Sequence, residues 1–209
     1  MEIEYKGANC VVIKTKSTVL AVDPYLGAMG LKDQAGKATA QLLTQHRFGV
    51  KNPEQLVLDG PGEYEVGGLS VVGVPTQVYS DTPEEGQQAT MYRVDSGDVA
   101  IAVIGHGIAP LSEEQLEAIG VIDVAILPVG GNGYTLDAHA AVQVVRQLDP
   151  KLVIPTHYAD SATNYEVEQQ QLEPFLKELG VAHENMAKLK IKGAVASDAL
   201  RVVVLDRVA

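Results

Sequence analysis

The stretch Val121-Ile122-Asp123-Val124-Ala125-Ile126-Leu127-Pro128-Val129-Gly130-Gly131-Asn132-Gly133-Tyr134-Thr135-Leu136-Asp137 decides how this chain is read. Val121 to Leu127 is an apolar run that predicts a buried strand. Gly130-Gly131-Asn132-Gly133 is a turn signal. Asp137 can accept from the free amides of a helix running to about Leu148, with Ala140, Val144, Val145 and Leu148 on one face. Asp149-Pro150 stops that helix. Leu152 to Ile154 predicts another apolar strand, ended by Pro155.

Outward from this unit, Ser112 before Glu113-Glu114-Gln115 is a capping-box pattern, opening a helix to about Ile119. Glu168 to Leu179 predicts a helix ended by Gly180, and Leu200 to Leu205 a last strand. The first half reads as strands. Cys10–Lys14 and Thr18–Asp23 flank the short linker Thr15-Lys16-Ser17 as a hairpin. Gln41–Thr44 and Gln55–Leu58 are short apolar runs. Tyr64–Val66 and Leu69–Val74 flank Gly67-Gly68, and Thr90–Val94 and Val99–Ile104 flank Asp95-Ser96-Gly97. The polar segment Thr76 to Gln88, with Asp81-Thr82-Pro83-Glu84-Glu85-Gly86, predicts an exposed loop. Strands first, then strand and helix in alternation, predict a layered α/β protein. No linker divides it, so residues 1–209 are expected to form one domain.

Composition removes several function classes. Of 209 residues, 46% are apolar and 21% charged, enough to fill a core. The single cysteine, Cys10, excludes an internal disulfide and a Cys₄ or Cys₂His₂ zinc knot. Within an apolar strand it reads as a small buried residue. A net charge of −11 argues against nucleic acid as a partner. Residues 53–98 hold nine acids against Arg93 alone, a pattern of solvated surface. Met1-Glu2-Ile3-Glu4-Tyr5-Lys6 lacks the basic start and apolar run of a signal peptide, and no apolar run reaches the roughly 18 residues of a membrane span. The expectation is a cytoplasmic protein with no membrane partner. Five histidines leave a histidine–carboxylate metal site open.

Three segments place polar residues at the ends of apolar strands, where α/β proteins line clefts. They are Gly7-Ala8-Asn9-Cys10 with Asp23-Pro24-Tyr25-Leu26, Pro128 to Asp137, and Pro155-Thr156-His157-Tyr158. In order and spacing they resemble the metallo-β-lactamase-fold superfamily, and within it the small metal-dependent hydrolases related to sugar-phosphate lactonases. The resemblance covers residues 1–75 and 97–158. It implies an αββα sandwich, two mixed β-sheets face to face with helices outside. It also implies one or two zinc or manganese ions at one edge that activate water. Ligands in that family come from a His-x-His-x-Asp-His loop, a later histidine, an aspartate and a final histidine.

This chain departs from that pattern. Where the family reads Thr-His-x-His-x-Asp-His, it reads Thr44-Gln45-His46-Arg47-Phe48-Gly49-Val50. Gln45 and Arg47 stand at the first two histidine positions, and Gly49 and Val50 at the aspartate and last histidine positions. His46 falls on a position that does not bind the ion. Val74-Pro75-Thr76-Gln77 lacks the later histidine, and Gly105-His106-Gly107 carries histidine for aspartate. His157 alone matches a family ligand residue for residue. Asp23 matches an acid that usually supports the ligands. The helix after the loop is expected to be short, since Gln55–Leu58 already reads as strand.

The catalytic candidates are therefore His106, His157 and Asp23, and the metal candidates His157 and His106. His157 reads equally as a hydrogen-bonded group in a closed cleft, and the His106–His157 pair reads first as packed and hydrogen-bonded. Gln45, His46, Arg47, Asn132, Tyr134 and Asp137 are the candidates to line that cleft. His46 reads first as loop surface and Asp137 first as a helix cap. Arg47 would repel a cation and is expected to pair with Asp23 or to hold an anion. His139, in the first turn of a helix, and His183, in the polar connection after Gly180, read as surface. The reading that follows is a relative lacking the His-x-His-x-Asp-His ligands, non-catalytic or ligand-binding, with no tightly bound cofactor and a small molecule as partner. The alternatives are a hydrolase with a rearranged site around His106 and His157, mononuclear with zinc or manganese or metal-free, and a structural or assembly protein.

Overall fold

Fourteen strands form two facing sheets in the computed structural model, which describes residues 1–52, 54–79, 88–196 and 199–208. The first sheet contains β1 (Glu2–Gly7), β2 (Cys10–Lys14), β3 (Val19–Val22), β4 (Ala40–Leu42), β5 (Leu56–Leu58) and β13 (Leu189–Lys190), in the order β13-β1-β2-β3-β4-β5. The second contains β6 (Gly62–Val66), β7 (Leu69–Gln77), β8 (Gln88–Asp95), β9 (Ala100–Val103), β10 (Val124–Pro128), β11 (Leu152–Thr156), β12 (His183–Met186) and β14 (Arg201–Leu205), in the order β12-β14-β11-β10-β9-β8-β7-β6. The helices are α1 (Glu113–Ile119), α2 (Ala138–Leu148) and α3 (Glu173–Leu179).

Period-2 burial explains the layers. Tyr92, Val94, Ile101, Val103, Val124, Ile126, Leu152 and Ile154 face the first sheet, meeting Ile3, Tyr5, Val11, Ile13, Leu20 and Val22. Their neighbours Met91, Ala102, Ala125, Leu127 and Val153 face outward and meet Ile119, Val144, Val145 and Phe175 of the helices. Strands buried on both faces read as unbroken apolar runs, which is why β9 to β11 look continuous in sequence. The three expected hairpins form, β2–β3, β6–β7 and β8–β9, all antiparallel. From β9 onward the pairing turns parallel, because α1 and α2 carry the chain back between strands. Both sheets are thus mixed, as expected. The helical cover is uneven. The outer face of the first sheet carries a small cluster of Ala8, Cys10 and Leu26 beside a single 3₁₀ turn, Gly27–Met29.

Several boundaries differ from expectation. The strand expected from Val121 begins at Val124, and Val121 is 90% exposed. Arg93 donates to the carbonyls of Ile119 and Val121 and holds that approach as a turn. Pro155 does not end β11. It pairs beside Leu127, beyond the point where the registered pairing with β14 ends at Val153, so its missing N–H costs little there. The helix expected from Glu168 starts at Glu173, with Pro174 in its first turn. Thr76, Gln77 and Gln88 are strand residues, and residues 80–87 of the expected loop lie outside the described residues. His183 is exposed on β12 rather than in a connection. The capping box at Ser112 and the cap by Asp137 form as read.

Candidate functional site

Strand ends bring the site together. The β1–β2 turn supplies Asn9, the end of β3 Asp23, the end of β4 Thr44, the end of β9 His106, and the end of β11 Thr156 and His157. Ala8, Asp23 and His157 all hold positive φ, at 48°, 42° and 51°. Backbone in that region is costly for such residues and persists where packing imposes it. Gly130 is required by close approach, since a Cβ there would meet the His157 carbonyl at 2.1 Å. Gly105, at φ 55°, lies against Thr44 in the same way.

Asp23 is buried, and Thr44 donates to both of its oxygens, from the amide at 2.8 Å and from the hydroxyl at 2.6 Å. Burial raises the Asp23 carboxyl to about 7 against the pull of those bonds and of Arg47. The Thr44 hydroxyl also lies 3.0 Å from Nδ1 of His106. With its proton given to Asp23, that hydroxyl accepts from Nδ1–H. Nε2 of His106 then accepts from the Asn9 amide at 3.2 Å, while Asn9 accepts from Thr156 at 3.2 Å. This tautomer is assigned from the network. Burial, reinforced by His157 and Arg47, pushes His106 well below the usual histidine range. The 3.8 Å approach of His106 to Asp23 is therefore between a neutral ring and a carboxyl group.

His157 is fixed by a separate set of bonds. Gln169 donates its amide to the Val167 carbonyl at 2.7 Å, and Thr135 donates to the Gln169 oxygen at 3.2 Å. That oxygen lies 3.1 Å from His157 Nδ1, so Nδ1 carries the proton and donates. Burial lowers His157 to about 4. The two histidine rings meet edge to face at 5.6 Å and share no hydrogen bond. Gln169 accounts for the shortened helix, because residues 168–170 are bonded to the site and its flanking loops. The Gln170 amide donates to the Gly130 carbonyl.

The altered loop supplies the cover. His46–Phe48 forms one 3₁₀ turn, and the Phe48 ring stacks on His106 with centroids 4.6 Å apart and planes at 15°. Arg47 does not reach Asp23. Its guanidinium donates to Glu166 at 3.1 Å, to the Tyr134 hydroxyl at 2.6 Å and to Gln45 at 2.8 Å. Phe48 takes the inward position of the turn, which leaves Arg47 at the rim, 48% exposed. The Tyr134 ring lies 5.6 Å from that of His106 and 5.7 Å from that of His157, centroid to centroid. His46 points away, 87% exposed and paired with Asp59. Asn132 ties the loop to Glu168 and Gln170, and Asp137 caps α2, so neither faces the histidines. His139 is exposed and bonded to Glu178. The sequence candidates do not include Asn9, Thr44, Phe48, Thr135 or Gln169. Asn9 and Thr135 lie within the strand-end motifs and Thr44 and Phe48 in the loop after β4, while Gln169 falls in a stretch read as helix and carries no such signal.

Gln45 and His46 line a separate groove of about 1230 Å³, and two spaces open on the histidines themselves. One, of about 10 Å³, lies among Ala8, Asn9, Asp23, Phe48, His106 and His157. The other, about 580 Å³, is walled by Tyr25, Met29, Phe48, Tyr134, His157 and Tyr165. Among the described residues, no group of three or more His, Cys, Asp or Glu side chains is placed to hold a metal ion.

A family model for the β-lactamase superfamily domain matches residues 2–157. The chain belongs to the β-lactamase superfamily. It is 27% identical over 184 residues to a UPF0173 metal-dependent hydrolase of Nanoarchaeum equitans, covering 76% of this chain and 84% of that protein. To a UPF0173 metal-dependent hydrolase of Thermococcus onnurineus it is 34% identical over 99 residues, 46% of this chain and 44% of that one. A solved metallo-β-lactamase superfamily structure from Thermotoga maritima matches with a TM-score of 0.76 at 23% identity, over 98% of both chains. A metallo hydrolase from Ignicoccus hospitalis matches at 0.60 and 18%, over 86% of this chain and 90% of that one. These likenesses establish the shared fold of the superfamily.

Proposed function

We propose that this superfamily member works without the metal centre, as a binding protein for a small organic ligand. The observation that carries the reading is the Phe48–His106 stack, which fills the face of the one histidine standing at the aspartate position. The donor set does not fit zinc or manganese, which need several converging imidazole and carboxylate donors. Both oxygens of Asp23 accept from Thr44, and both ring nitrogens of His106 lie within hydrogen-bond distance of Asn9. Arg47 places a cation nearby. The remaining 10 Å³ has room for about one water.

The test is elemental analysis of full-length protein grown with zinc and manganese, then dialysed. The expected result is well below one equivalent of metal, unchanged by His157→Ala. Stoichiometric metal that survives dialysis and is lost in His157→Ala would overturn the proposal. The second reading, a metal-free hydrolase, draws on the ring nitrogen of His157 that Gln169 leaves unused. It predicts turnover of activated esters that disappears in His157→Asn. The location of the protein in the cytoplasm and its independence of nucleic acid stay part of the proposal. Among the described residues no helix is long and apolar enough to cross a membrane.

A further inference from the structure

The 580 Å³ cavity has a specific chemistry, set by which of its wall groups are already committed. The Tyr134 hydroxyl is held between Arg47 and Glu166, and the Tyr165 hydroxyl donates to the Tyr158 carbonyl at 2.7 Å. Those two rings therefore meet the cavity as aromatic wall, and Phe48, with His106 on one face and Arg47 over the ring, adds apolar wall beside them. Tyr25 adds a further aromatic wall, 38% exposed at the opening. Arg47 and Glu166 neutralise one another at the rim, so an anion finds no free cation. A cation would meet the guanidinium that already lies over Phe48 at 4.8 Å and Tyr134 at 5.5 Å.

One buried acceptor stays uncommitted. His157 donates through Nδ1, and its Nε2 has no partner among the described residues. Nε2 is also not among the sealed, unpartnered polar atoms, which are the Tyr5 hydroxyl and Thr163 Oγ1. It therefore opens on one of the two spaces that His157 lines, of which only the larger, about 580 Å³, has room for a molecule.

We infer that this cavity takes a neutral, planar aromatic molecule that donates one N–H or O–H hydrogen bond to Nε2 of His157. Aromatic walls supply the affinity and this buried acceptor supplies the selectivity. A ligand without the donor would bury Nε2 unpaired, which a site of this kind rejects. The inference rests on the binding-protein reading, because a metal ion on His157 would use the same lone pair.

Indole and 1-methylindole test it, since they differ in the ring N–H and little else. Full-length protein, shown by elemental analysis to be metal-free, is titrated with each by calorimetry. Indole is expected to bind about tenfold more tightly than 1-methylindole. His157→Asn, a residue that tolerates positive φ, should bring indole down to the level of 1-methylindole. Equal affinities on the wild-type protein, or no binding of either at millimolar concentration, would overturn the ligand class and leave the metal-free reading intact. Stoichiometric metal in the elemental analysis would instead overturn both.

Discussion

Replacing Phe48 by alanine tests whether the altered loop has become part of the core. Phe48 is 8% exposed, packed on His106 along one face and under Arg47. Truncating a buried phenylalanine costs about 3–5 kcal/mol. Here the low end applies, about 3 kcal/mol, because the ring also borders the 580 Å³ cavity and the hole would fill with water rather than stay empty. For a chain of this length each kcal/mol lowers the melting temperature by about 2–4 °C, so the expected drop is about 6–12 °C. Urea denaturation should show a lower midpoint with an unchanged slope. Adding His106→Ala should recover about 1 kcal/mol of coupling between the rings. A loss below about 1 kcal/mol, or additive single changes, would refute the claim that Phe48 packs on His106.

Asp23 gives a pH dependence of definite sign. Its carboxyl titrates at about 7 when folded against 3.8 as the ordinary value, so between those limits the folded chain holds a proton that the unfolded chain releases. Stability from this group is therefore full below pH 3.8, falls as pH rises, and is gone above about 7. The loss is about 4 kcal/mol at most, at about 1.4 per pH unit. The buried histidines, held low, slope the other way in both proteins, so the difference carries the test: between pH 4.5 and 7.5 the stability of the wild type relative to Asp23→Asn, read from denaturation midpoints, should fall as pH rises, and a difference that does not change with pH contradicts the assignment. Tyr92→Phe removes the hydroxyl that donates to the carbonyls of Leu43 and Leu58, joining the two sheets, and should cost about 1–3 kcal/mol by chemical denaturation. Gly105→Ala would put a Cβ 2.2 Å from Thr44 at a positive φ, and should cost about 2–4 kcal/mol; a neutral melting curve would argue that Thr44 is free to move.

The fold was legible because its signals are local. The apolar runs of β9, β10 and β11, the Ser112 box and the Asp137 cap each announce themselves within a few residues. The edge strands β12 and β13 were not legible, since His183-Glu184-Asn185-Met186 and Leu189-Lys190 are mostly exposed and gain their shape from pairing with β14 and β1. The site divided along the same line. Asp23 and His157 stand in strand-end motifs, and His106 was marked by the resemblance. The partner of Arg47 could not, because Glu166 lies 119 residues away and the choice between it and Asp23 depends on how one 3₁₀ turn is oriented.

Sequence by itself determined the layered α/β architecture, because periodicity and turn signals are properties of the chain alone, and its motifs carried the resemblance to the superfamily. Tertiary structure decided which side chains surround the two histidines. Phe48 covers His106, Thr44 links His106 to Asp23, and Gln169 sets which nitrogen of His157 carries the proton. Each of these depends on side chains from different strand ends meeting within about 3–5 Å, and that meeting is fixed by how the two sheets pack.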